Sequence, residues 1–213
     1  MNKYDVLQKV QREKLIAIVR IRTQEQALSA VGALVDGGIS CIELPMTAPY
    51  AHSVLECVAK EYEGKITLGA GSVLDGESAR IAILSGAKFL VTPTVSEHTI
   101  RVANRYGIPV FPGVATATEA LLALEYGADV VKLFPARGQS PCVIKDLRAP
   151  MPELEIIPVG GVSAENLPDW LRAGAFACGI GGALLSGVEK GDYGAITDMA
   201  RKLKKIVRET CYV

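Results

Sequence analysis

A lysine and a glutamate stand where apolar strands should run on unbroken. Lys132 interrupts Val130-Val131-Lys132-Leu133-Phe134, and Glu43 interrupts Cys41-Ile42-Glu43-Leu44-Pro45. Lysine is almost never fully buried without a partner or a purpose. An amine taken out of water loses its proton more readily and becomes a nucleophile, able to condense with a ketone to a Schiff base. A carboxylate close to such an amine can shuttle protons or polarise a catalytic water. The plain alternatives are a lysine that snorkels out at the strand end, or a simple Glu43–Lys132 ion pair. Two ionisable groups in two separate apolar runs favour a functional pair over either residue taken alone.

Glycine-rich turns supply a second kind of chemistry. Gly160-Gly161 in VGGVS and Gly181-Gly182 in GIGG leave the backbone open to close approach by phosphate oxygens. A lone Gly-Gly usually marks a turn, and GIGG is no dinucleotide fingerprint, since neither the acidic residue nor the βαβ context fits it. Two such pairs in consecutive loops carry more weight. Gly69-Ala70-Gly71-Ser72 offers N–H and hydroxyl donors to a carboxylate, or is a tight turn. Arg20 in IVRIR can reach an anionic substrate group or serve a surface salt bridge. Thr47, Pro93 and Phe134 stand just past strand-like runs, where a mouth would be lined, and Phe134 could dry the lysine's surroundings or simply pack. Arg137 in PARGQSP is either a ligand clamp or solvated.

These residues need a scaffold that brings strand ends together. Eight short apolar runs recur, at residues 15–20, 40–44, 66–69, 89–91, 109–111, 130–133, 156–159 and 176–180. Continuous apolar runs are expected of parallel strands buried on both faces. Amphipathic stretches lie between them, at 24–36, 76–85, 97–106 and 118–126, and the polar segment at the start reads as an extra N-terminal helix. Gly37-Gly38, Gly86, Gly107, Gly127 and Gly174 follow helices and precede strands, where a left-handed cap calls for glycine. Repeating βα units over the 213 residues predict one (β/α)8 TIM-barrel domain spanning 1–213. A doubly wound sheet is the competitor, since local pattern does not show closure. In the barrel, function lies at the C-terminal ends of the strands, and phosphate is often held by the last two loops. Lys132, Glu43 and both Gly-Gly pairs fall at those places.

Composition narrows the function classes. Lysine plus arginine equals aspartate plus glutamate, 23 each, so no basic excess meets a nucleic-acid backbone or a membrane surface. Five cysteines at 41, 57, 142, 178 and 211 form no metal or disulfide pattern and suit a reducing cytoplasm. Two histidines, His52 and His98, leave little material for a zinc site or a Ser-His-Asp triad. The polar start is neither a signal nor a transit peptide, and no apolar run approaches the ~20 residues of a membrane span. The expectation is a cytoplasmic enzyme with no metal and no cofactor. A phosphosugar isomerase or epimerase on the same barrel, or a non-catalytic phosphosugar-binding barrel, are the alternatives.

The segments IAIVR, GGISCIELPMTAP, GAGSVLD, FLVTPTVS, IPVFPGVATATEA, GADVVKLFPA, IIPVGGVSAENLPDWLRAGA and GIGGALL, in this order, resemble the 2-keto-3-deoxy-6-phosphogluconate aldolase family. That family includes 4-hydroxy-2-oxoglutarate and 6-phosphogalactonate aldolases. The resemblance implies a (β/α)8 barrel, a homotrimer, and a class I mechanism without metal that releases pyruvate from a phosphorylated 2-keto-3-deoxy sugar acid. It implies Lys132 as the Schiff-base lysine and Glu43 as the acid/base. It further implies a pyruvate-carboxylate turn at residues 69–72, including Gly71 and Ser72, with serine where threonine is common. Pro93 matches the mouth proline and Phe134 the aromatic after the lysine. Gly160, Gly161, Gly181 and Gly182 match the phosphate loops. Two positions depart: Thr47 stands where some members have arginine, and Ala183 where they have serine. Arg20 is then the candidate to take the lost arginine's role. ELPMTAP and FPGVATATEA resemble the galactonate branch.

Overall fold

A computed structural model describes residues 1–20 and 23–211, without the side chain of Glu189. The elements run α1 (Lys3–Glu13), β1 (Leu15–Ile18), α2 (Gln24–Asp36), β2 (Cys41–Pro45), α3 (Ala51–Glu61), β3 (Thr67–Gly71), α4 (Gly76–Leu84), β4 (Phe89–Val91), α5 (Glu97–Arg105), β5 (Val110–Phe111), β6 (Gly113–Val114), α6 (Ala117–Glu125), β7 (Val131–Leu133), α7 (Val143–Arg148), β8 (Ile156–Pro158), α8 (Leu167–Arg172), β9 (Cys178–Ile180) and α9 (Tyr193–Cys211). Every strand pairing is parallel. One sheet has the order β5-β4-β3-β2-β1-β9, the other β6-β7-β8, and an isolated parallel bridge joins Val159 to Gly179. The result is an α/β fold whose parallel strands curl into a half-barrel with helices outside.

Among the described residues nine strands stand where eight runs were expected, because Pro112 splits the fifth. Proline has no N–H to give a neighbouring strand. Its carbonyl still accepts from Lys132 N at 2.8 Å, so Gly113–Val114 goes on to pair with β7. The first run is also shorter than expected. Beyond Ile18 the backbone gives one more bond, Val19 N to Glu43 O at 2.8 Å, and Arg20 then leaves the sheet and is exposed.

Successive strand residues point to opposite faces. Ile16, Cys41, Phe89, Val91, Phe111, Val130, Ile157, Val159 and Ala177 form one buried cluster on the inner face of the curl. Leu15, Ala17, Ile42, Leu68, Leu90, Val131, Leu133 and Ile156 face out and pack with the helices. Phe89 and Phe111 stack with centroids 5.5 Å apart, and Phe89 fills the space that a side chain on Gly69 would need.

The expected extra helix is present as α1, started by a capping box between Asn2 and Asp5. Its Val6 and Val10 join the inner cluster. Lys3 holds Asp129 just before β7 at 2.5 Å, and Lys14 donates to Phe176 O just before β9 at 3.3 Å. These bonds seat α1 across the N-terminal ends of the strands and leave the C-terminal ends as the open mouth. Among the described residues no helix is long and apolar enough to cross a membrane.

Candidate active site

Strand parity places the two unusual ionisable residues. Glu43 follows Cys41 by two and Lys132 follows Val130 by two, so both inherit the inner face, nearer the mouth. In register, Glu43 lies beside Ile18 and Gly69, and Lys132 beside Gly113 and Ile157. Glu43 is 4% exposed and Lys132 7%, so each is almost wholly withdrawn from water.

Burial dominates both charges. It pushes the Glu43 carboxyl above the usual carboxylate range, against the pull of Lys132 and then of Arg20. It holds the Lys132 amine below the usual lysine range, with the Arg20 charge adding to the effect and Glu43 opposing it. The two side chains feel each other, yet no ion pair within 4.0 Å joins them. The simple contact pair of the bland reading is therefore not what the structure holds. Lys132 Nζ instead sits over the Phe134 ring, 4.4 Å from its centroid. That apolar face covers the amine while the ring itself is partly exposed, at 38%.

Neighbouring backbone is shaped around these side chains. A β-carbon on Gly71 would overlap the Glu43 carboxylate, so the glycine makes the room that Glu43 occupies. Ser72 follows with φ 54°, a left-handed conformation that costs a non-glycine residue about 1–3 kcal/mol and tends to cluster at functional sites. Gly113, the register partner of Lys132, leaves no room for a β-carbon beneath the Pro93 carbonyl. Buried Thr92 donates its hydroxyl to Thr94 O at 2.5 Å and fixes the Pro93 turn.

Next to this centre lies an open cleft of about 1160 Å³. Ile18 and Phe134 line its inner part. Gly160, Gly161, Gly181 and Gly182 line its wall, as do Arg20, Arg137 and Ala183. Gly160 and Gly161 have φ of 87° and 92°, the region that favours glycine. Gly182 has no such φ and no neighbour within 4 Å of a would-be β-carbon. Its missing side chain leaves only room.

The expected site residues thus fall into two connected groups. Lys132, Glu43, Gly71, Pro93 and Phe134 gather at the mouth, while Arg20 and the four glycines form the cleft beside it. Thr47 does not join the cleft. It is exposed and lines a small pocket of about 30 Å³ with Val19, Arg20 and Pro45. The sequence reading missed Gln26 and Ser186, which also line the cleft. Gln26 lies in the first turn of the helix after β1, a position that faces the mouth in such units, and this was the available signal.

A family model described as KDPG and KHG aldolase matches residues 6–199. A 2-dehydro-3-deoxy-6-phosphogalactonate aldolase from Escherichia coli (strain K12) is 40% identical over 80% of this chain and 83% of its own length. A 2-dehydro-3-deoxy-phosphogluconate aldolase from Treponema pallidum (strain Nichols) is 30% identical over 95% of this chain and 97% of its own. A solved structure titled native KDPGal superposes with TM-score 0.86 at 37% identity, covering 93% of this chain and 96% of the other. The family model and these relatives place the chain among the aldolases, lyases of carbon–carbon bonds. The chain belongs to the KDPG and KHG aldolase family.

Proposed function

We propose that this chain is a Schiff-base aldolase. It cleaves a 2-keto-3-deoxy-6-phospho sugar acid, of the 6-phosphogluconate or 6-phosphogalactonate type, to pyruvate and glyceraldehyde 3-phosphate. The observation that carries this reading is the withdrawal of Lys132 and Glu43 from water on one inner face, at the mouth, without a contact ion pair between them. The 40% identity to the galactonate-branch relative favours the 6-phosphogalactonate substrate. 4-Hydroxy-2-oxoglutarate, which would give pyruvate and glyoxylate, is the shorter substrate of the same chemistry.

In this mechanism the neutral Lys132 amine adds to the C2 ketone, and the carbinolamine loses water to an iminium. Glu43, through a water, takes the proton of the C4 hydroxyl. The C3–C4 bond breaks, its electrons pass into the iminium to give an enamine, and the aldehyde leaves. Protonation at C3 restores an iminium, and water releases pyruvate and the free lysine. Proton transfer by a positioned group contributes about 10²–10⁴ in rate. Burial of Lys132 supports the first step by raising its neutral fraction. Gly71 and Ser72 are assigned to the pyruvate carboxylate, and Pro93 and Phe134 to the walls of the mouth. Gly160, Gly161, Gly181 and Gly182 are assigned to the phosphate, a role favoured by the open space at Gly182.

The same reading takes the two sheets as one closed (β/α)8 barrel, with the split β5–β6 as its fifth strand, and the chain as one domain. The bridge from Val159 to Gly179 supports closure on the β8–β9 side. A homotrimer in the cytoplasm completes it. Exposed Leu74, Ile81, Leu84, Tyr106 and Leu121 around α4 to α6 support an assembly, and five free cysteines suit the compartment. A coupled pyruvate assay over both C4 epimers, with and without the 6-phosphate, tests the activity. Release of pyruvate from neither would overturn it. Light scattering on the eluting protein tests the trimer.

A further inference from the structure

Arg137 lies on the loop between β7 and α7, and that loop is fastened at both sides. Ala136 is buried and its N–H donates to Val159 O at 2.9 Å, while the Gln139 side chain donates to Pro135 O at 2.9 Å. Arg137 itself is packed against the Gly160-Gly161 turn, where a β-carbon on Gly161 would come within 3.0 Å of Arg137 Cα. Its backbone is therefore held in place while its side chain is exposed and lines the cleft. Among the described residues no carboxylate makes an ion pair with it. Among the described side chains no acidic one lines the cleft either; Glu165 accepts from the lining Ser163. Among the described residues the cleft thus carries two guanidinium groups, Arg20 just past β1 and Arg137 from the loop after β7, and no described acidic side chain on its wall.

A phosphate monoester above pH ~6 is a dianion with three acceptor oxygens, and arginine's fixed fork suits it. We propose that Arg137 is a specificity-determining residue that, with Arg20, holds the distal phosphate of the substrate from the opposite end of the chain. It supplies the second positive charge that the uncharged Thr47, in the small neighbouring pocket it shares with Arg20, does not. This rests on the aldolase reading for the identity of the substrate. A contact of this kind is made alike before and during bond cleavage, so it acts on KM and leaves kcat alone.

The test compares Arg137→Met and Arg137→Lys with the parent protein on two substrates, the 6-phosphate and its analogue with a free 6-hydroxyl. Inorganic phosphate titrated by calorimetry gives a second readout. Arg137→Met is expected to raise KM for the phosphorylated substrate by about 10- to 100-fold. Turnover, and both constants for the free-hydroxyl analogue, should stay unchanged. Inorganic phosphate should bind Arg137→Met correspondingly more weakly, with Arg137→Lys between the two. An unchanged KM for the phosphorylated substrate, or equal losses on both substrates, would overturn the proposal. If the parent protein releases no pyruvate at all, the aldolase reading fails, while the phosphate titration still decides whether Arg137 binds the anion.

Discussion

The Glu43 carboxylate occupies the space in which a side chain on Gly71 would stand, so a residue on β3 sets where a residue on β2 can place its charge. Gly71→Ala should therefore displace Glu43 without touching Lys132. A misplacement of about 1 Å at a reacting group costs about 10²-fold, and turnover is expected to fall by that order while circular dichroism stays native. Full activity in Gly71→Ala would mean that the Glu43 position does not matter to the reaction.

Glu43→Gln keeps the shape and removes the proton acceptor. Cleavage should slow by about 10²–10⁴, while the imine with pyruvate still forms. The charge relation adds a direction in pH. Glu43 is the influence that raises the Lys132 pKa, against burial and Arg20. Without it the amine loses its proton at lower pH, so the pH midpoint of imine formation, read from borohydride trapping rates, should move down. Arg20→Ala removes a repelling charge and should move the same midpoint up, by less because Arg20 is exposed and screened. Midpoints that stay put in both variants would break the electrostatic account.

Much of this site was legible because buried strands leave few reasons for a charge. Glu43 and Lys132 stood out by type within apolar runs, and the two-residue period then put both on the inner face. The split at Pro112 was less legible. Proline removes a donor but keeps its acceptor, so pairing resumes at Gly113, beyond the apolar run 109–111. Thr47 was expected at the mouth from its place after β2. Met46 N, however, donates to Gly71 O at 2.8 Å, and the chain then turns Thr47 into a side pocket. Gln26, in the first turn of α2, and Ser186, after β9, share a cleft because segments far apart in sequence meet there, and Ser186, in a turn, leaves no periodic trace.

Arg20 lines the cleft with the four glycines and also acts electrostatically on Lys132 and Glu43. If it serves the distal phosphate, Arg20→Ala should raise KM for the phosphorylated substrate by about 10-fold or more, the worth of a charge-assisted hydrogen bond. Turnover of 4-hydroxy-2-oxoglutarate should suffer less. Steady-state constants on the two substrates check this, and equal losses would move Arg20 to the pyruvate carboxylate instead.

Everything in the mechanism depends on a covalent bond to one buried amine. Incubation with pyruvate and borohydride, followed by peptide mass spectrometry, reads that bond directly, because only an imine is reduced to a stable adduct. The adduct is expected on Lys132 alone and absent from Lys132→Arg, whose guanidinium stays protonated. An adduct on Lys145, or none on any lysine, would contradict the Schiff-base account and leave an isomerase or a non-catalytic binding barrel as the reading to pursue.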